Sequence, residues 1–211
     1  MDLSKFRRKP ILGILRGAEP DLAEPLTEAV LEAGLETLEI TMNTPGAALI
    51  IKKAKKISAG RIAIGAGTVL NMEDLKTALD AGATFIVMPV LVKDVAAYCV
   101  DRKIPSFPGA LTPLEIYDAH IAGASMVKVF PSGVFGPSYF KEIRGPFRDI
   151  ELLACGGVTP ENMKDYFKNG AGAVAFGASV FKKEWLDKKD FANIKKAIRR
   201  FTEQDITKLT A

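Results

Sequence analysis

At 211 residues the chain is near the upper size that one hydrophobic core holds, so a single domain over 1–211 is expected and a long multidomain assembly is excluded. A composition of 48% hydrophobic and 26% charged residues is ordinary for a globular protein and excludes disorder, collagen and coiled coil. The net charge of +4 is diffuse apart from Lys5, Arg7, Arg8 and Lys9, which argues against nucleic acid as the main partner and suits a small anionic substrate. Two cysteines, Cys99 and Cys155, make no disulfide framework, and no Cys/His spacing marks a metal site, so a reducing cytoplasm is the expected compartment. The apolar run Ile11 to Leu15 is too short for a signal-peptide core, and Phe85 to Val92, the longest apolar stretch, falls far short of a membrane span.

Short β-branched runs alternate with stretches of helical period, the pattern of βα units and a parallel sheet. Eight strands are predicted: Ile11–Arg16, Thr37–Thr41, Ile62–Gly65, Phe85–Met88, Ser106–Phe107, Met126–Phe130, Leu152–Ala154 and Ala173–Phe176. A short lead precedes the first strand and a C-terminal helix follows the last. Asn71, Thr112 and Thr159 are N-cap residue types, and Pro113 and Pro160 occupy the first helical position that proline tolerates. Ala33-Gly34, Ala81-Gly82, Ala122-Gly123 and Asn169-Gly170 each end a predicted helix just before a strand, where glycine supplies the left-handed residue. These pairs precede every second strand, at intervals of roughly 45 residues, so the chain reads as four double units.

Eight parallel strands can close as a (β/α)8 TIM barrel or lie open as a doubly wound sheet. Strand chemistry favours the barrel. In Thr37-Leu38-Glu39-Ile40-Thr41 the odd positions are polar, and in Met126-Val127-Lys128-Val129-Phe130 the lysine shares a face with Met126 and Phe130. Charges in mid-strand are costly in a sheet covered on both faces but acceptable at the mouth of a barrel.

The polar residues of interest all lie at carboxyl ends of strands, where barrel active sites are assembled. Lys128, flanked by Val127 and Val129, is a candidate Schiff-base nucleophile, kept neutral by desolvation and a nearby cation such as Arg16. A lysine that reaches the rim or pairs with Glu39 fits the pattern equally well. Glu39 is a candidate general acid/base, with an ion pair to Arg16 or Lys128 as the alternative. Gly156-Gly157-Val158-Thr159-Pro160 joins a strand to a helix. With Gly177 and Ser179 after the eighth strand, it reads as a phosphate site built on backbone N–H groups. Thr68 is a candidate carboxylate donor or a helix cap. His120 and the basic residues Lys195, Lys196, Arg199 and Arg200 read as solvated, and Cys99, in the helix predicted from Val92 to Lys103, as core.

In order along the chain, Leu15-Arg16-Gly17, Leu38-Glu39-Ile40-Thr41, Gly65-Ala66-Gly67-Thr68-Val69, Met88-Pro89, Pro108-Gly109, Val127-Lys128-Val129-Phe130-Pro131 and Gly156-Gly157-Val158 resemble the bacterial 2-keto-3-deoxy-6-phosphogluconate / 4-hydroxy-2-oxoglutarate aldolases essentially end to end. The resemblance implies a metal-free, cofactor-free, class I lyase acting on a small phosphorylated keto acid, usually a homotrimer, with no membrane or nucleic-acid partner. It implies that Lys128 forms the Schiff base, Glu39 moves protons, Arg16 and Thr68 lie in the pyruvate pocket, Pro89 and Phe130 shape it, and Gly157 and Ser179 help hold phosphate. Two positions depart from the family pattern. Asn43 stands where many members carry an arginine on the substrate carboxylate, and Cys155 stands where gluconate-specific members carry threonine, a position linked to the accepted C4 epimer. The competing expectations are a phosphate-binding barrel with other chemistry, such as an isomerase or a thiamine-phosphate-synthase-like enzyme, and a non-catalytic sugar-acid-phosphate module.

Overall fold

The computed structural model describes residues 1–206; the last five residues of the predicted domain, 207–211, lie outside the described residues. Nine strand segments form one wholly parallel sheet: β1 Ile11–Leu15, β2 Thr37–Thr41, β3 Ala63–Gly67, β4 Ile86–Val87, β5 Ser106–Phe107, β6 Gly109–Ala110, β7 Val127–Val129, β8 Leu152–Cys155 and β9 Ala173–Phe176. Their order is β5-β4-β3-β2-β1-β9-β8-β7-β6, so the two ends of the ladder are β5 and β6, which Pro108 alone separates. Carbonyls of Pro105 and Phe107 accept from Ile86 and Met88 on one side, while those of Ser106, Pro108 and Ala110 accept from Ser125, Lys128 and Phe130 on the other. Residues 105–110 therefore behave as one barrel strand paired on both edges, interrupted where proline has no N–H to donate. The eight-stranded barrel expected from the sequence is closed, with its fifth strand longer than Ser106–Phe107.

Each barrel strand is followed by a helix: α2 Ala23–Glu32, α3 Ala47–Ser58, α4 Met72–Ala81, α5 Lys93–Asp101, α6 Pro113–Ile121, α7 Ser138–Arg144, α8 Met163–Lys168 and, after the short α9 Lys183–Asp187, α10 Phe191–Thr202. The apolar stripes of these helices seal the outside of the barrel. In α3 they are Ala47, Ile50, Ile51 and Ala54, and in α10 Ile194, Ile198 and Phe201, the spacing that a 3.6-residue period turns to one face. Gly34, Gly82, Gly123 and Gly170 all have positive φ, as the four-fold Gly pattern requires. Asn71 caps α4 through the Asp74 N–H, and Thr112 with Glu115 forms a capping box on α6 behind Pro113. Thr159 and Pro160 sit one turn further upstream than expected: α8 starts at Met163, and Thr159 Oγ1 instead accepts from the Asn162 N–H in the preceding turn.

Two apolar layers result. The larger lies between strands and helices, and Cys99, buried there with its thiol pushed up to about 11, is core as expected. The smaller fills the barrel itself with Leu12, Ile14, Phe85, Val87, Phe107, Met126 and Leu153. The N-terminal lead is a helix, α1 Leu3–Arg8, which caps the bottom of the barrel: Phe6 is buried with its ring 5.9 Å from that of Phe107. Arg7 pairs with Glu151 at the exposed edge of this plug. His120, Lys196, Arg199 and Arg200 are exposed as expected and Lys195 is half-buried, with Lys195 and Arg199 reaching Glu32 and Arg200 reaching Glu161.

Candidate active site

Inside the barrel, β3 contributes almost no side chain to its inner face, and its neighbours use the room. A Cβ on Gly65 would collide with the Phe85 ring, and one on Gly67 would fall on the Glu39 carboxylate. Gly67 was noted in the sequence only as part of a motif; its role is to vacate the space that Glu39 occupies. Glu39 sits mid-strand in β2, beside Ile14 of β1 and Gly65 of β3, and is 1% exposed. Neither of its oxygens has a hydrogen-bond partner among the described residues. Burial pushes its pKa above the ordinary carboxylate value, and the positive charges of Lys128 and Arg16 only partly oppose that.

Lys128 occupies the centre of β7, with Val127 and Val129 turned outward into the helix layer. Strand alternation puts it on the inner face, where it is buried with its Nζ 5.3 Å from the centroid of the Phe130 ring. Cys155, at the end of neighbouring β8, is buried as well, and its thiol is pushed up by burial although Lys128 pulls it down. Arg16 ends β1 and donates from Nη2 to Thr68 Oγ1 at 3.2 Å. Thr68 holds φ +55°, a left-handed backbone that a β-branched residue rarely adopts and that costs on the order of 1–3 kcal/mol. The neighbouring Gly17 N–H is bound to Thr44 Oγ1, which contacts Thr41 Oγ1, so the loops after β1 and β2 are locked together.

Above Lys128 opens a cavity of about 620 Å³. Arg16, Thr68, Pro89, Lys128, Phe130 and Cys155 line one part of it, and Gly156, Gly157, Gly177 and Ser179 line another. Ten of the twelve residues singled out in the sequence are thus brought to one wall. Glu39 is sealed beneath that wall, within the field of Lys128 and Arg16. Asn43 is the exception: it is exposed on the turn after β2 and is not among the lining residues. Gly156 and Gly157 both have positive φ, and the Gly156 carbonyl accepts from the Gly133 N–H and from Ser132 Oγ. A Cβ on Gly157 would lie 2.8 Å from Gly133 Cα, so this turn is tight enough to demand glycine. After β9 the Gly177 carbonyl accepts from both Val180 and Phe181, and the resulting turn exposes Ser179.

Sequence reasoning missed Lys183, which also lines the cavity, because its spacing to Asp187 reads as a solvated helix pair. No Asp or Glu side chain among the described residues lines this cavity, whereas three cations do, a field that suits an anionic ligand. Among the described residues no group of three or more His, Cys, Asp or Glu is placed to hold a metal ion, and no helix is long and apolar enough to cross a membrane.

The family model described as KDPG and KHG aldolase matches residues 3–197. A Rhizobium meliloti protein named probable 2-dehydro-3-deoxy-6-phosphogalactonate aldolase is 35% identical over 175 residues, covering 82% of each chain. The Pseudomonas aeruginosa 2-dehydro-3-deoxy-phosphogluconate aldolase is 32% identical over 199 residues, 92% of this chain and 89% of that one. The solved structure entitled native KDPGal superposes with a TM-score of 0.86 at 31% identity, covering 92% of this chain and 93% of the other.

Proposed function

Since the chain belongs to the KDPG and KHG aldolase family, we propose that it reversibly cleaves a phosphorylated 4-hydroxy-2-keto acid, such as 2-keto-3-deoxy-6-phosphogluconate, to pyruvate and glyceraldehyde 3-phosphate through a Schiff base on Lys128. The observation that carries this reading is a buried lysine in the centre of a strand, on the cavity wall and in the field of a buried carboxylate with no hydrogen-bond partner among the described residues. The Lys128 amine adds to the C2 ketone and water leaves, forming a cationic imine. That cation is the electron sink into which the C3–C4 bond breaks, so neither a metal nor a cofactor is required. Glu39 accepts the C4 hydroxyl proton through a water as the aldehyde departs, then returns a proton to C3 of the enamine. Hydrolysis of the imine releases pyruvate and restores the amine. A carboxyl lifted by burial toward the working pH is suited to taking a proton and giving it back.

In this reading Arg16, oriented by Thr68, binds the substrate carboxylate, and its position on the wall lets it do so without the arginine that Asn43 replaces. Pro89 and Phe130 shape the pyruvate pocket. The Gly156-Gly157 turn, Gly177 and Ser179 form the phosphate end, and Cys155, between the two ends, faces the C4 hydroxyl. Relatives bear both gluconate and galactonate names, so the C4 epimer is argued from Cys155 rather than from likeness.

Borohydride added to the protein with pyruvate traps an imine as a stable adduct. Mass spectrometry should locate it on Lys128, and an adduct elsewhere, or none in an active preparation, overturns the mechanism. A binding module or a phosphate barrel with other chemistry gives no adduct. A homotrimer is proposed as the assembly. Its support is the exposure of apolar side chains on α6, Leu114, Tyr117 and Ile121, and on the loops after β4 and β7, Val90, Val134 and Phe135. Light scattering reads the mass directly, and a monomer would remove this assignment.

A further inference from the structure

The residues assigned to the phosphate end of the cavity, Gly156, Gly157, Gly177 and Ser179, are all neutral, whereas a phosphate monoester carries a charge of about −2. Arg16 and Lys128 rise from β1 and β7 and serve the keto-acid end. The remaining cation on the wall is Lys183, which opens α9 four residues after Ser179. Its neighbour Lys182 is engaged elsewhere, its ammonium 4.4 Å from the centroid of the Trp185 ring. Lys183 donates to both carboxylate oxygens of Asp187, at 2.8 and 2.7 Å, with its side chain 86% exposed.

An exposed pair of this kind, separated by four residues on a short helix, shifts an equilibrium by no more than a factor of about two or three. The ammonium therefore leaves Asp187 at little cost for a doubly charged partner. A lysine suits this exchange because its charge sits on a flexible four-carbon stem and requires no fixed fork geometry. We infer that Lys183 is a specificity residue of this site, whose ammonium exchanges the Asp187 carboxylate for the phosphate of the substrate and so selects phosphorylated keto acids over unphosphorylated ones. The inference rests on the aldolase reading for the identity of the substrate, but the cavity lining and the ion pair stand without it.

The test separates the two. Glycerol 3-phosphate binding is measured by calorimetry for the wild type, Lys183→Ala and Lys183→Arg, with no turnover involved. The alanine variant should bind about five- to tenfold more weakly at low ionic strength, the scale of one charge-assisted contact at an exposed position, and the arginine variant should recover most of that loss. The difference should shrink in high salt. In the condensation direction, kcat/KM for pyruvate with glyceraldehyde 3-phosphate should fall relative to kcat/KM with glyoxylate by a similar factor, with the change in KM rather than kcat. Equal binding by the wild type and the alanine variant, no binding to the wild type, or equal losses on both aldehydes, which is what mere support of α9 would produce, each overturns the inference. Failure to trap pyruvate on Lys128 while the calorimetric difference persists overturns the aldolase reading alone.

Discussion

Glu39→Gln perturbs chemistry and stability in opposite directions, and both magnitudes follow from the position of one carboxylate. Both oxygens are buried without a hydrogen-bond partner among the described residues, and burial outweighs the pull of Lys128 and Arg16, so the group titrates above its unfolded-state value. Below the unfolded pKa it is protonated in both states and nothing is lost. As pH rises through the unfolded value toward the raised folded value, the unfolded state sheds its proton first, and the native state loses relative stability until the folded carboxyl has also ionised. Glutamine has nearly the same shape, carries no charge and escapes this loss. Because the glutamine amide is left equally unpaired, only the extra cost of burying a charge is recovered, on the order of 1–2 kcal/mol at neutral pH, reduced in part because Lys128 loses an opposite charge. For a chain of this size about 2–4 °C of Tm accompanies each kcal/mol, so the variant should melt about 2–6 °C higher. The same change should lower kcat by roughly 10²–10⁴-fold and slow exchange of the pyruvate methyl protons, the scale of a lost general acid/base. Calorimetric scans of both proteins from about pH 4 to about pH 8 read the first effect, and their Tm values should converge at the acid end. A variant less stable than the wild type at neutral pH, or a Tm difference that does not shrink on acidification, would refute the account of Glu39 as a poorly solvated charge.

Gly67→Ala should remove activity by about 10²-fold or more while pyruvate is still trapped on Lys128, because the new Cβ displaces the Glu39 carboxylate and not the amine; unaltered turnover would show that Glu39 works from another position. Phe6→Ala, at the far end of the barrel, should cost about 3–5 kcal/mol in a urea titration with kcat/KM little changed, since it opens a hole beside Phe107 and touches no cavity residue. Cys155 is a weak donor beside Lys128, so the wild type should cleave the gluconate and galactonate epimers with similar kcat/KM. Cys155→Thr should then favour the gluconate form by up to about ten- to a hundredfold, and a ratio that stays fixed would leave Cys155 as packing alone.

Local rules reach a definite part of this molecule. The helix ends at Gly34, Gly82, Gly123 and Gly170, the caps at Asn71 and Thr112, and the inward faces of β2 and β7 follow from backbone sterics and two-residue alternation, which depend only on neighbouring residues. So does the identification of Lys128 as out of place: a charge between two valines in a strand is conspicuous before any fold is known. What lay beyond the sequence depends on neighbours far apart in the chain. Pro108 hides the continuity of the fifth barrel strand, because its pairing is visible only once β4 and β7 lie on either side. The expected start of α8 at Pro160, capped by Thr159, moved to Met163, since Thr159 and Asn162 exchange hydrogen bonds in the turn that carries the chain past Gly157. Asn43 and Lys183 exchanged places as candidates for the same reason. One follows a motif strand but is exposed on the turn and does not line the cavity, and the other looks like a solvated helix pair and lines it. The sequence by itself determines the alternation of strand and helix and which side chains face inward. Which loops meet above the barrel, and hence which charges share one small volume with Lys128, is set only by closure of the ring, because that closure brings residues 16, 68, 155 and 183 from four separate βα units to a single wall.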